Sequence, residues 1–206
     1  MTRSTAPEDR AIEHAGRFDV VVVAASAGGV QALTSFVSLL PHDFALPIVI
    51  VQHVDASHRS LLVEILGRSS TIPVVAVEDG SALRGGTIFI APPDWHAVVN
   101  PDATMSLNQS ELVHFVRPSA DLLFESAAGS LGDRVIAVVL TGTGEDGASG
   151  VRAVHEAGGT VVVQDEQSAD FFGMPGAAIE TGAADLVVAL DEIPDVLVRL
   201  AEGSPV

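Results

Sequence analysis

The sequence predicts an α/β fold: a three-layer α/β/α arrangement, doubly wound, around a mainly parallel sheet of about seven strands, with a β-hairpin insertion. Three observations predict it. Short runs of Val, Ile and Ala recur along the chain and are apolar at successive positions, as strands buried on both faces require. Most are separated by segments with apolar residues three and four apart, the helical period. No Pro-, Gly- or Ser-rich linker and no internal repeat divides the 206 residues, so one domain is expected at roughly 100–200 residues per domain.

Residues 1–17 are polar and charged without a period, and are expected to be a disordered lead-in to a folded domain over 18–202. The run 18–25, FDVVVVAA, is the first strand. A helix follows over 26–40, with Val30, Leu33, Val37 and Leu40 on its apolar stripe and Pro41 ending it. The run 47–54 is a second buried strand, 57–69 a helix, and 72–79 and 85–94 two further strands. Alternation over 96–108 around Asn-Pro-Asp predicts the hairpin. Pro118 opens a helix over 119–132. The remaining strands are expected at 134–142, 159–165 and 184–190, with helices after Gly144, after Ser168 and at 192–203.

Composition narrows the function. Apolar residues make up 48%, enough for a core, which excludes disorder over most of the length. Cysteine is absent, so disulfides, thiolate metal sites and a cysteine nucleophile are excluded. There are 27 acidic residues against 10 basic ones, every basic one is Arg, and the net charge is −17. A surface this acidic repels phosphate backbones and anionic lipid, so no nucleic-acid partner and no membrane-surface role is expected. Aromatic residues are only 4%, which argues against base-stacking platforms. No apolar run approaches ~18 residues, so no membrane insertion is expected. Charges stand where a signal peptide needs an apolar segment, and a cytoplasmic location is the expectation.

In open parallel sheets, ligands bind beyond the C-terminal ends of the strands. Ser26 stands there, at a strand-to-helix turn among Ala24, Ala25, Ala27, Gly28 and Gly29. Small neighbours expose such a serine as a nucleophile, and free amides at the helix start can receive an oxyanion. The same residue could instead cap the helix, or the glycine pair could bind an anion. A nucleotide-binding loop is disfavoured, because the turn is not G-x-G-x-x-G and the chain has no Lys. A serine nucleophile needs a base: His53 ends the second strand, with His96 as its rival. His53, Asp55 and His58 also have a spacing that could hold a metal, though weakly. The base needs an orienting acid, and Asp146 in the Gly-rich loop after 134–142 fills that place, with Glu145 as its rival. A turn acid or helix cap is the other reading of Asp146.

These residues, in this order, resemble the catalytic domain of the chemotaxis protein-glutamate methylesterases, the CheB family, from about Phe18 to about Leu200. The motifs are A-A-S-A-G-G at 24–29, Q-H at 52–53, A-P-P-D-x-H at 91–96, R-P-S at 117–119, L-T-G-x-G-x-D-G at 140–147 and F-G-M-P at 172–175. The resemblance implies Ser26 as nucleophile, His53 as base and Asp146 as orienting acid. It implies a substrate- or oxyanion-binding place for Ala27, Gly28, Thr143, Arg117 and Met174, with Gly173, Met174 and Pro175 in a loop at the cleft wall. Thr143 stands where the family often has Met, a change that leaves the backbone amide in place. The implied activity is hydrolysis of glutamate methyl esters on chemoreceptor cytoplasmic helices, releasing methanol, with glutamine deamidation in some members and no metal or organic cofactor. About 17 residues precede the first strand, too few for the receiver domain of the family's best-known members, so three alternatives stand: constitutive activity, gating by a separate regulatory protein, or a role outside chemotaxis. The competing readings are a non-catalytic signalling module of the same fold and an esterase acting on a different ester.

Overall fold

The computed structural model describes residues 17–53 and 61–206. Seven parallel strands form the sheet in the order β3-β4-β2-β1-β7-β8-β9, and β5 and β6 form a separate antiparallel pair. The elements are β1 (Val20–Ala25), α1 (Gly29–Leu39), β2 (Ile48–Gln52), α2 (Leu62–Ser69), β3 (Val74–Ala76), β4 (Ile88–Ile90), β5 (His96–Val99), β6 (Met105–Asn108), α3 (Ala120–Leu131), β7 (Val135–Val139), α4 (Ala148–Glu156), β8 (Thr160–Gln164), α5 (Gly173–Glu180), β9 (Leu186–Val188) and α6 (Ile193–Glu202).

Every residue of β1 is buried, yet its side chains still alternate between two cores. Val20, Val22 and Ala24 enter one core with the apolar faces of α3 and α4 and with Ala97, Val99 and Met105 of the hairpin. Val21, Val23 and Ala25 enter the other, against α1, α2 and α6. The period of two thus assigns helices to faces even where exposure carries no signal. The hairpin is pinned to α3 through Val99, whose amide donates to Ser126 Oγ and whose carbonyl accepts from Ser130 Oγ.

The chain winds from β1 to β2 on one side and returns to place β7 on the other, so the sheet reverses direction between β1 and β7. A crevice opens at such a point, above the strand ends. Register fixes what meets there. Ala25 pairs with Gln52, so the next residues, Ser26 and His53, leave neighbouring strands side by side. On the other flank the Ser26 amide donates to the Thr141 carbonyl at 3.0 Å.

Three sequence expectations shift. The inward stripe of α1 is Ala32, Leu33, Phe36 and Val37, while Val30 is 40% exposed. The strand expected over 72–79 shortens to Val74–Ala76 at the sheet edge, with two of its three residues exposed. Gly173, Met174 and Pro175 open helix α5 instead of lying in a loop. The expected lead-in lies outside the described residues except for Arg17, which donates to the Gly158 carbonyl.

Helices α3 and α4 touch at Gly150, where an added Cβ would stand 2.5 Å from Phe124 Cβ and 3.2 Å from the Asp121 Cα. Replacing Gly150 by Ala should therefore destabilise the fold by about 1–3 kcal/mol, the usual cost of overpacking. Urea unfolding measures this, and an unchanged midpoint would show that the two helices can separate freely.

Candidate active site

Ser26 does not cap α1. The cap position is Gly28, in left-handed conformation (φ 74°), and no side chain among the described residues caps the helix. The serine hydroxyl is therefore not committed to the helix start. The amides of Ala27, Gly28 and Thr143 donate to no acceptor among the described residues. Unsatisfied amides beside a strand-end serine are the donor set that a developing oxyanion needs. Gly142 packs directly against this turn. A Cβ there would lie 2.9 Å from Ser26 Cβ and 2.3 Å from Met174 Sδ, so only glycine lets the three approach. Met174 is buried and walls the turn through its thioether.

His53 Nε2 and Asp146 Oδ2 are 2.7 Å apart, in a part-buried contact. A carboxylate at Nε2 holds the proton there and leaves Nδ1 as the basic nitrogen. The backbone of His53 is fixed twice. Its amide donates to the Ala25 carbonyl at 3.0 Å. Its carbonyl accepts from Gln52 Nε2 at 2.9 Å, and the same Nε2 donates to the Ser26 carbonyl at 2.8 Å. Gln52 thus ties the two residues together through their main chains. Its other amide atom, Oε1, has no partner among the described residues and sits where a Cβ on Gly29 would be only 2.0 Å away, so position 29 must stay glycine.

Asp146 also receives three donors from the start of α3. Ser119 Oγ donates to Oδ1 at 2.8 Å, the Asp121 amide to Oδ1 at 3.2 Å and the Ala120 amide to Oδ2 at 2.6 Å. Burial pushes its pKa up, but the His53 contact, the Ala120 amide and the Ser119 hydroxyl outweigh it, and the carboxyl stays below the usual range. Asp121 is the next acid along. Its Oδ1 accepts from the amides of Gly147 and Gly150, and its Oδ2 lies 3.1 Å from His114 Nε2. Burial pushes its pKa up, and the nearby Asp146 charge adds to that.

The rival candidates separate clearly. His96 is fully buried, with Nδ1 accepting from the Ser119 amide at 3.2 Å and Nε2 donating to the Glu111 carbonyl at 3.1 Å. Both nitrogens are occupied, so it serves the scaffold and not as a base. Glu145 is exposed and lies 3.6 Å from His114 Nδ1 instead of beside His53. Arg117, expected near substrate, engages the protein itself: its guanidinium grips Asp94 Oδ1 and the carbonyls of Gln109 and Ser110. It braces the hairpin to the segment before α3. Asp55 and His58 of the weak metal reading lie outside the described residues. Sequence reasoning quoted Gln52 and Ser119 within motifs without giving them a part, and gave none to Asp121. Their contacts with Ser26, Asp146 and Gly150 bridge 26 to 29 positions, which local spacing does not reveal.

A strand-end serine, a His–Asp pair beside it and free amides at the turn make a site suited to acyl transfer. The CheB methylesterase family model matches residues 21–197. A putative protein-glutamate methylesterase/protein-glutamine glutaminase of Leptospira interrogans is 37% identical over 187 residues, covering 91% of this chain and 97% of its own. A protein-glutamate methylesterase/protein-glutamine glutaminase of Rhodospirillum rubrum is 41% identical over 190 residues, and this chain spans only 49% of its length. The crystal structure of the Thermotoga maritima CheB methylesterase catalytic domain superposes with TM-score 0.85 at 35% identity, covering 89% of this chain and 98% of that one. The chain belongs to the CheB methylesterase family. It is an enzyme of the protein-glutamate methylesterase class.

Burial holds the His96 pKa below its ordinary value of 6.5, against the Glu111 carbonyl that raises it. The folded chain then takes up this proton less readily than the unfolded one. The contribution of His96 is complete above the unfolded value and is lost as pH falls below it. Asp146 adds a loss at lower pH, as the solution passes below 3.8 towards its depressed folded value. Asp121, raised, works in the opposite direction and gains as pH falls below its folded value towards 3.8. His96→Gln should flatten the fall in stability between pH 7 and 5, by no more than about 1.4 kcal/mol per pH unit, the limit for one proton. Urea melts across that range test it, and a slope equal to wild type would remove His96 from the acid response.

Proposed function

We propose that this chain hydrolyses γ-methyl esters of glutamyl side chains on the cytoplasmic helices of chemoreceptors, with Ser26, His53 and Asp146 as its catalytic groups. The observation that carries the reading is the 2.7 Å contact between His53 Nε2 and Asp146 Oδ2, on a histidine that leaves its strand beside Ser26. Family membership and the names of the relatives supply the ester.

In the first half-reaction Ser26 Oγ attacks the ester carbonyl carbon and His53 Nδ1 takes the hydroxyl proton. The carbonyl oxygen becomes an oxyanion held by the amides of Ala27, Gly28 and Thr143. Asp146 stays ionised and stabilises the imidazolium. Its low pKa, set against burial by His53, the Ala120 amide and the Ser119 hydroxyl, suits that task. The C–O bond to methoxide then breaks, and methanol leaves with the proton from His53. In the second half-reaction a water attacks the Ser26 ester and gives its proton to His53. Ser26 takes the proton back as the glutamate carboxylate departs. The same steps with ammonia leaving would deamidate glutamine, the second activity in the names of both relatives described above. No step as written uses a metal or an organic cofactor. Ester and amide are neutral while the product is an anion, and the chain carries a net charge of −17, which favours product release.

Methanol release from a methylated receptor fragment tests the reading, with wild type beside Ser26→Ala. Wild type should release methanol, and Ser26→Ala should lose at least about a thousandfold in kcat with its fold retained. Near-normal turnover by Ser26→Ala would overturn the mechanism. Asp146→Asn should cost less than Ser26→Ala, because serine and histidine can still react without the ionised orienting group.

A further inference from the structure

Residues 113–116 make a tight turn that the reaction does not use. Val113 and Val116 exchange N–H···O bonds at 3.3 and 2.9 Å. The two residues between them, His114 and Phe115, both have left-handed φ, 48° and 63°. Two-residue turns with positive φ usually hold Asn-Gly, because a Cβ is disfavoured there. Here they hold an imidazole and a phenyl ring. The imidazole anchors the turn, with Nε2 3.1 Å from Asp121 Oδ2. The phenyl ring is left to solvent, and Phe115 is 95% exposed. Neither core packing nor solubility explains a strained, fully exposed aromatic residue, and strain of this kind is kept where it serves function.

Phe115 stands at a cleft of about 630 Å³ that is also lined by Phe172, Gly144 and Gly173, with Glu145 and Glu180 as its carboxylates. The cleft lies next to the candidate site, behind Gly142. A Cβ on Gly173 would lie 3.0 Å from the Gly142 carbonyl, and one on Gly142 would lie 2.9 Å from Ser26 Cβ. One turn of backbone therefore separates the cleft from the serine. Two phenyl rings suit an apolar side chain, and the glycines leave room for it. The carboxylates disfavour acidic neighbours.

We propose that the Phe115 turn and this cleft are a docking surface for the protein substrate, taking an apolar side chain carried on the same segment as the scissile ester, with neutral or basic flanking residues. The proposal rests on the esterase reading above. It predicts recognition beyond the ester itself, so a small ester will not sense it.

The test measures kcat and KM for wild type, Phe115→Ala and Phe115→Leu on a methylated receptor fragment and on an N-acyl glutamate γ-methyl ester. Phe115→Ala should raise KM for the fragment at least about fivefold and leave kcat and the small ester unchanged, as truncation of an aromatic anchor does. Phe115→Leu should restore most of the affinity. An unchanged fragment KM would overturn the proposal, and so would an equal effect on the small ester. Turnover of neither ester by wild type would defeat the esterase reading instead. Direct binding of the fragment to wild type and Phe115→Ala then still decides the docking surface: weaker binding by the variant supports it, and equal or absent binding overturns it. Sedimentation of both proteins covers the remaining occupant. A dimer lost in Phe115→Ala, with fragment KM unmoved, would assign the surface to a second copy of this chain and overturn the proposal.

Discussion

The carboxylate of Asp146 joins two things that the fold must hold together. One oxygen meets His53 Nε2 and the Ala120 amide, and the other meets the Ser119 hydroxyl and the Asp121 amide. The start of α3 is thus satisfied by an acid from the loop after β7, at the end of a helix that favours negative charge. The same acid orients the imidazole. A buried carboxylate without these donors would be pushed towards its neutral form and would lose its hold on His53. The geometry of the His53 pair and the capping of α3 therefore depend on one ionised group.

A second contact runs the other way. Asp121, in the first turn of α3, accepts from the amides of Gly147 and Gly150 at the start of α4. Each helix carries or adjoins the acid that satisfies the other. The close approach at Gly150 makes this geometry possible, because any side chain there would force the two helix starts apart. The cost is two neighbouring buried carboxylates. Burial raises the pKa of Asp121 and the Asp146 charge raises it further, while Asp146, with its donors and His53, stays low. Environment divides the pair into one acid committed to charge and one held mainly for capping.

Much of this was legible in the sequence. All-apolar strands bounded by Gly gave the sheet, and a parallel sheet brings its strand ends to one edge, so Ser26, His53 and Asp146 could be nominated from position, while the family resemblance chose them over a capping serine, His96 and Glu145. The two faces of β1 were harder to read, since valine fills both. Val30 fits a helical period but points outward, because α1 begins after the Gly28 turn and its phase is set there. Arg117 lay in a motif near the site, yet its chemistry is spent on Asp94 and two carbonyls. Gln52 and Asp121 hold backbone groups distant in sequence and Ser119 holds the distant Asp146 carboxylate, and nothing local to them carries that information.

The central claim is that Asp146 does both jobs through one hydrogen-bond cluster. A double-mutant cycle between Ser119→Ala and Asp146→Asn tests it most directly, read both as unfolding free energy and as kcat/KM. The account predicts coupling above about 1 kcal/mol in each readout, as expected for partners in one network. Additive effects in either readout would contradict it, because the capping hydroxyl and the orienting acid would then act independently.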